Sequence, residues 1–204
     1  MLRDTEAFIE FLGYERVILC GMSMGSNNAY RYAPRHPGRL RALIIVDVAP
    51  ELITAGQQSI RAFRQDAETL VRFDDFLDRA IKFSPHRAPA HPRYSLMHAL
   101  KQTDGGSTWK QDHRPRTQPE DSTVKRKIDE LWDAVRAITT PTLLVRGELS
   151  QVLSEDSHQR TAQAAQDCET ATIPRATHNV QGDNPRDFAT ALDAWVVSRL
   201  GERR

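Results

Sequence analysis

The chain has 204 residues, 39% apolar and 27% charged, which suits one globular domain or a domain with an insertion and allows a sizeable core. Its 28 basic and 27 acidic side chains leave a formal net charge of +1, so electrostatics give no ground for a nucleic-acid or membrane partner. No apolar run reaches the length of a membrane span, and two cysteines, Cys20 and Cys168, are too few for a disulfide framework. Both cysteines lie in apolar runs, which predicts buried free thiols in a reducing compartment. The first residues do not read as a secretory leader, because an amphipathic segment with acidic residues follows at once, so none is expected and the expected location is the cytoplasm.

In chain order, DTEAFIEFL (4–12) sets Phe8, Ile9, Phe11 and Leu12 on one side of a helix that Gly13 stops. RVILCG (16–21) is a short continuous apolar run, as in a strand buried on both faces. A helix is expected over 24–36, ended by His36-Pro37-Gly38, and LRALIIVDV (40–48) reads as a second buried strand. Strand, helix and strand within about thirty residues have the size of a right-handed crossover between parallel strands. From 51 to 138 no strand-like run occurs; helical patches are expected near 57–71, 74–83, 92–102 and 124–137. The α/β alternation then resumes: a strand at 142–147, a helix at 154–166 with Ser154 as N-cap, a strand at 169–174 and a closing helix at 185–200. That last helix presents Phe188, Leu192, Trp195 and Val196 on one face. The fold class expected is α/β: four mainly parallel strands flanked by helices, interrupted by a helical block. The corresponding divisions are 1–50, 51–138 and 139–204.

Gly21-Met22-Ser23-Met24-Gly25 matches G-x-S-x-G. The motif works as a sharp strand-to-helix turn that holds a serine in a strained conformation, with its hydroxyl clear of the sheet. Side chains in place of either glycine are expected to collide with the neighbouring strand or helix. Such a pattern arises by chance roughly once in fifteen chains of this length, but here it sits between a strand and a helix, as the mechanism requires. Ser23 is therefore the candidate nucleophile. Of seven histidines, His36, His86, His91, His98, His113 and His158 lie in turns or on helices among polar neighbours, where a solvated ring is the default. His178 instead follows the last strand, in a loop on the same sheet edge as Ser23, and is the candidate base. Tyr94, His98 and Trp109-Lys110 could line a pocket, although core and surface positions are the plainer reading. Lys125-Arg126-Lys127 reads as a solvated helix face, since Asp129 and Glu130 follow it.

Three stretches, GMSMGSNNAYRYAPRHPGRLRALIIVDVAPE, TPTLLVRGELSQVLS and THNVQGDNPRDF, resemble the α/β-hydrolase superfamily, in its lid-bearing branch of esterases, lactonases and carbon–carbon hydrolases. The resemblance spans nearly the whole chain. It implies Ser23 as nucleophile, His178 as base, the Met24 backbone N–H as an oxyanion donor and residues 51–138 as a helical cap. In most members of that superfamily the acid lies three residues after the glycine ending the penultimate strand; here that glycine is Gly147 and the position holds Ser150, followed by Gln151. Neither can be an anion. Asp47, at the end of IIVDV and 24 residues after Ser23, matches a branch that carries its acid after that strand; Glu148 is the alternative acid. An aspartate at the end of a buried strand is costly unless hydrogen-bonded, and a histidine N–H would satisfy it. Asp47 as a simple cap of the turn into Ala49-Pro50 is the remaining reading.

The implied activity is serine hydrolysis of a small-molecule ester, lactone or related acyl substrate, with no metal or organic cofactor and no nucleic-acid or membrane partner. The chain also departs from the superfamily pattern, since no His-Gly pair precedes Ser23 to supply a second oxyanion donor. Losing one of two such donors costs on the order of 10²–10³ in turnover. RVILCG is then expected to stand as a sheet edge, open to pairing or homodimer formation. The alternative reading is accordingly an N-terminally truncated, weakly active or non-catalytic remnant that serves as an interaction module.

Overall fold

The computed structural model describes residues 2–65, 72–85, 87, 90–110 and 121–201. Four parallel strands form the central sheet: β1 (Val17–Met22), β2 (Leu40–Val46), β5 (Thr142–Gly147) and β6 (Cys168–Ile173), in the order β1-β2-β5-β6. Because all four run the same way, their C-terminal ends, and the loops that follow them, share one edge.

Alternation along the strands divides the core in two. On one face, Leu43 and Ile45 of β2 and Leu144 of β5 are buried with Ile9 of α1 (Leu2–Phe11), Ala29 and Tyr30 of α2 (Met24–Tyr32), and Leu131 and Val135 of α6 (Asp121–Arg136). On the other, Ala42, Ile44, Val46, Leu143, Val145 and Ile173 are buried with Trp195 of α9 (Pro185–Leu200), against which Phe188, Leu192 and Val196 also pack. The expected apolar face of α9 is thus the one that meets the sheet. On the polar inward face of α7 (Glu155–Ala164), Ser157 Oγ donates to Glu51 O at 2.7 Å and Thr161 Oγ1 to Ser157 O at 2.7 Å. Its N-cap is Ser154, whose side chain accepts from Ser157 N at 3.1 Å, as the sequence predicts.

Several expectations are corrected. The helix expected over 24–36 ends at Tyr32 and continues as two 3₁₀ turns, Ala33–Arg35 and Pro37–Arg39, because prolines 34 and 37 have no N–H to carry it on. β1 is not buried on both faces. Leu19 and Gly21 face inward, but Ile18 and Cys20 are exposed, because α9 packs on the β2, β5 and β6 residues and leaves that side of β1 open. Cys20 is therefore an exposed free thiol rather than a buried one; Cys168 is partly buried, and desolvation pushes its thiol up to about 12. In α1 only Ile9 is buried, while Phe8, Phe11 and Leu12 are 61%, 85% and 40% exposed. His158 is fully buried in α7, its Nε2–H donating to Leu144 O at 3.0 Å. Its position on a polar helix face had pointed to solvent.

The chain separates into two compact units: one runs to Thr54 and resumes with α6, and the other begins at Ala55. In the second unit, α4 (Phe73–Phe83) and α5 (Ala90–Ala99) bury Phe76 and Leu96 together with Leu100, and Trp109 meets Phe76 edge-on at 5.3 Å. Arg79 on α4 donates to Phe63 O of α3 (Thr54–Gln65) at 3.3 Å. This stretch was expected to hold no strand, yet Leu100–Thr103 (β3) and Gly106–Trp109 (β4) form an antiparallel hairpin across Asp104-Gly105. The Asp-Gly-Gly run was the available hairpin signal. Tyr94 and His98 contact each other at 4.6 Å on α5, with Tyr94 exposed. The helical patch expected at 57–71 is α3 as far as Gln65, with 66–71 outside the described residues, as are His86 and His113. The helix expected at 124–137 packs on the sheet instead, and its Trp132 Nε1–H donates to Glu51 Oε1 at 2.9 Å. Among the described residues, no helix is long and apolar enough to cross a membrane.

Candidate active site

At the end of β1 the chain turns into α2 through Ser23, which has φ 52° and ψ −113°. Few non-glycine residues tolerate a positive φ, and here the surroundings hold it in place. Ser23 N donates to Val46 O at 3.3 Å, and Ser26 Oγ donates to Gly21 O at 2.6 Å while accepting from Val46 N at 3.2 Å. These bonds clamp the turn to the end of β2. The sharpness of the turn explains Gly21, where a Cβ would lie 2.6 Å from Gly25 C and 2.7 Å from Ser26 N. Gly25 does not fit the same account: a Cβ there meets nothing within 4 Å, so the second glycine of the motif is not sterically required. Met24 N opens α2, where a backbone N–H has no partner within the helix and the dipole favours negative charge.

One residue past β2, Asp47 also has a positive φ, 53°, which aspartate accepts more readily than most residues. It is completely buried, and three donors engage its carboxylate. Gly147 N donates to Oδ1 at 2.9 Å, Ser150 Oγ to Oδ2 at 2.6 Å, and His178 Nδ1–H to Oδ2 at 2.9 Å. The following turn is held by Tyr30, whose hydroxyl donates to Val48 O at 3.0 Å and whose burial raises its pKa well above the ordinary phenol range.

His178 reaches Asp47 because the β6–α9 loop passes directly over the end of β5. A Cβ on Gly147 would lie 2.3 Å from Thr177 O and 2.6 Å from Ala176 O, so glycine alone permits the approach. Leu149 N donates to Ala176 O at 2.8 Å across the same crossing. Thr177 is fixed in turn by Asp183, which accepts from its backbone N at 2.8 Å and from its hydroxyl. On α8 (Val180–Asp183), Gln181 lies against Met22, with its Nε2 2.7 Å from the sulfur. Ser23 is thus bracketed: its N-terminal neighbour Met22 and the Val46-Asp47 segment it bonds to both meet the loop that carries His178.

The alternative acid, Glu148, is exposed and accepts from Arg175 N at 2.7 Å. Its described partner is therefore the loop backbone, while the His178 ring is held by Asp47. Sequence reasoning passed over Ser150 because a hydroxyl cannot be the acid; its spacing after Gly147 was the only signal. His36 bonds Glu6 Oε1 at 3.0 Å, remote in sequence from these loops. Among the described residues, no group of three or more His, Cys, Asp or Glu could hold a metal ion.

A parallel sheet with a strained serine at a strand-to-helix turn, and a His-carboxylate pair on the same edge, defines the α/β-hydrolase class. Residues 1–185 match the family model described as serine aminopeptidase, S33, and the chain belongs to that family of hydrolases. It is 30% identical over 177 residues to the esterase Rv0045c of Mycobacterium tuberculosis (strain ATCC 25618 / H37Rv), a match that covers 81% of this chain and 56% of that protein. It is 26% identical over 198 residues to the 2-(acetamidomethylene)succinate hydrolase of Mesorhizobium japonicum (strain LMG 29417 / CECT 9101 / MAFF 303099), covering 95% of this chain and 68% of the relative. The crystal structure of an E-2-(acetamidomethylene)succinate hydrolase superposes with a TM-score of 0.75 at 22% identity, covering 98% of this chain and 72% of that one, a likeness of fold. The chain spans little more than half the length of the mycobacterial esterase.

Proposed function

We propose that this chain carries the Ser23-His178-Asp47 centre of a serine hydrolase that cleaves a carboxylic ester, a lactone or a related small acyl substrate. The observation that carries this reading is the 2.9 Å contact between His178 Nδ1 and the fully buried Asp47 carboxylate. With Nδ1–H engaged, Nε2 is the free acceptor of the ring, the tautomer a general base needs. Ser23 Oγ loses its proton to Nε2 and attacks the carbonyl carbon. The tetrahedral oxyanion is stabilised at the N-terminus of α2, with Met24 N–H as a donor. His178 then protonates the leaving group, the acyl group stays on Ser23, and water activated by the same nitrogen releases it. The relatives' names, an esterase and a 2-(acetamidomethylene)succinate hydrolase, are in keeping with a hydrolase.

Labelling with a fluorophosphonate tests this. The intact chain should be modified at Ser23, the Ser23→Ala variant should not, and His178→Ala should react about 10³-fold more slowly. A wild-type chain that stays unlabelled would overturn the reading.

A second reading, an interaction module that self-associates along the edge of β1, is favoured by one observation. Ile18 is 41% exposed on that edge strand, and Phe11 and Tyr14 nearby in sequence are 85% and 62% exposed. Under that reading sedimentation velocity shows a dimer that Ile18→Lys converts to monomer, and a monomer at all concentrations removes it.

A further inference from the structure

We propose that Ser150 is a positioning residue of this centre, a hydroxyl that orients the Asp47 carboxylate and shares its charge with His178. The inference rests on the reading of Ser23, His178 and Asp47 given above, and deepens it.

The hydrogen-bond inventory of one hydroxyl decides the direction of the proton. A serine Oγ has one hydrogen to donate and two lone pairs. In Ser150, Val152 N donates to one lone pair at 3.2 Å and Leu153 N to the other at 3.0 Å. Both acceptor sites are filled, so the hydroxyl hydrogen has one neighbour left, Asp47 Oδ2 at 2.6 Å. That length lies in the range of a charge-assisted O–H···O⁻ bond. Ser150 is only 8% exposed, so water does not replace it readily.

Two consequences follow. With Gly147 N on Oδ1, Ser150 fixes the rotation of the carboxyl plane, so Oδ2 faces His178 Nδ1. Ser150 and His178 also donate to the same oxygen, so the serine withdraws part of the negative charge that would otherwise act on the imidazole. The other carboxylates on the loops around His178 are engaged elsewhere: Glu148 with Arg175 N, Asp183 with Thr177, and Asp187 near Arg175 at 3.8 Å. A substitution at 150 leaves those contacts in place, and Asp47 is the carboxylate it alters.

The rival role for Ser150 is local: its Oγ accepts from two N–H groups of its own turn, as any ST-type turn does. A stability measurement alone would not separate the two, because both predict a less stable Ser150→Ala variant. The His178 ring does separate them. With its competing donor removed, Asp47 holds the imidazolium more strongly, so the midpoint of the ring titration, followed by NMR, should move to higher pH. Labelling of Ser23 requires the neutral ring, so its acid limb should move to higher pH by the same amount. The plateau rate should fall roughly tenfold as the carboxylate loses its fixed rotation. Ser150→Thr, which keeps the hydroxyl, should restore both readouts. Should the alanine variant not fold, Ser150→Cys offers a weak donor of similar size and should shift both in the same direction by less. A variant with a lowered melting temperature but an unmoved His178 titration would overturn the proposal and leave Ser150 as a turn residue. Failure of the parent reading looks different: wild-type Ser23 would not label at all, while the ring titration would still report on Ser150.

Discussion

The Ser23 side and the Asp47 side of the proposed centre are held by different physics. Ser23 stands at the end of an edge strand with Ile18 and Cys20 exposed beside it, and it is fixed by backbone: a forced φ, a glycine two residues before and a clamp to Val46. Asp47 stands at the end of a strand buried on both faces, and it is fixed by polar contacts, three donors on two oxygens. A half-buried hydroxyl on a strained turn is kept in direction by steric constraint on its backbone. A fully buried carboxylate must have partners or become too costly to keep charged, so its partners define it. The contrast implies that conservative side-chain changes should injure the Asp47 side, and backbone crowding should injure the turn.

The largest expected effect tests the Asp47 side. Asp47→Asn keeps the shape but removes the charge that faces His178 and sets an amide N–H₂ against one of three donors, so it should slow Ser23 labelling by about 10³–10⁴-fold and also lower the melting temperature. A loss no greater than tenfold would break the contrast. Next come the close approaches. Gly147→Ala drives a methyl group to 2.3 Å from Thr177 O, and Gly21→Ala to 2.6 Å from the Gly25 backbone. Each should cost about 3 kcal/mol in denaturant unfolding, and Gly147→Ala should also loosen the His178–Asp47 contact seen by NMR. Ser154→Ala removes the N-cap bond to Ser157 N and should cost about 1 kcal/mol with labelling unchanged. Gly25→Ala should be the mildest: with open space at its Cβ and a helical position, it should raise stability by up to about 1 kcal/mol. A destabilisation like that of Gly21→Ala would show that the two glycines serve one purpose after all.

Much of this was legible before any coordinates. Strand-length apolar runs, the Ser154 cap, the apolar face of α9 and the G-x-S-x-G turn between β1 and α2 are local patterns that period and spacing record. What escaped was what local pattern does not encode. His158 sits on a helix whose inner face is polar, so hydrophobic periodicity could not mark it as buried. The β3–β4 hairpin carries mostly polar residues and was hidden by its composition, although its Asp-Gly-Gly turn was visible.

By itself the sequence determined the strand–turn–helix around Ser23 and the parallel α/β order, because both follow from residue types a few positions apart. Only the tertiary structure decided which carboxylate faces His178, because Asp47 and His178 are 131 residues apart and meet where a glycine lets two loops touch. It also decided where the Ser150 hydroxyl points: its own turn aims it at a carboxylate 103 residues away. Hydrogen bonds across such separations depend on how strands stack in the sheet, and no periodicity along the chain carries that information.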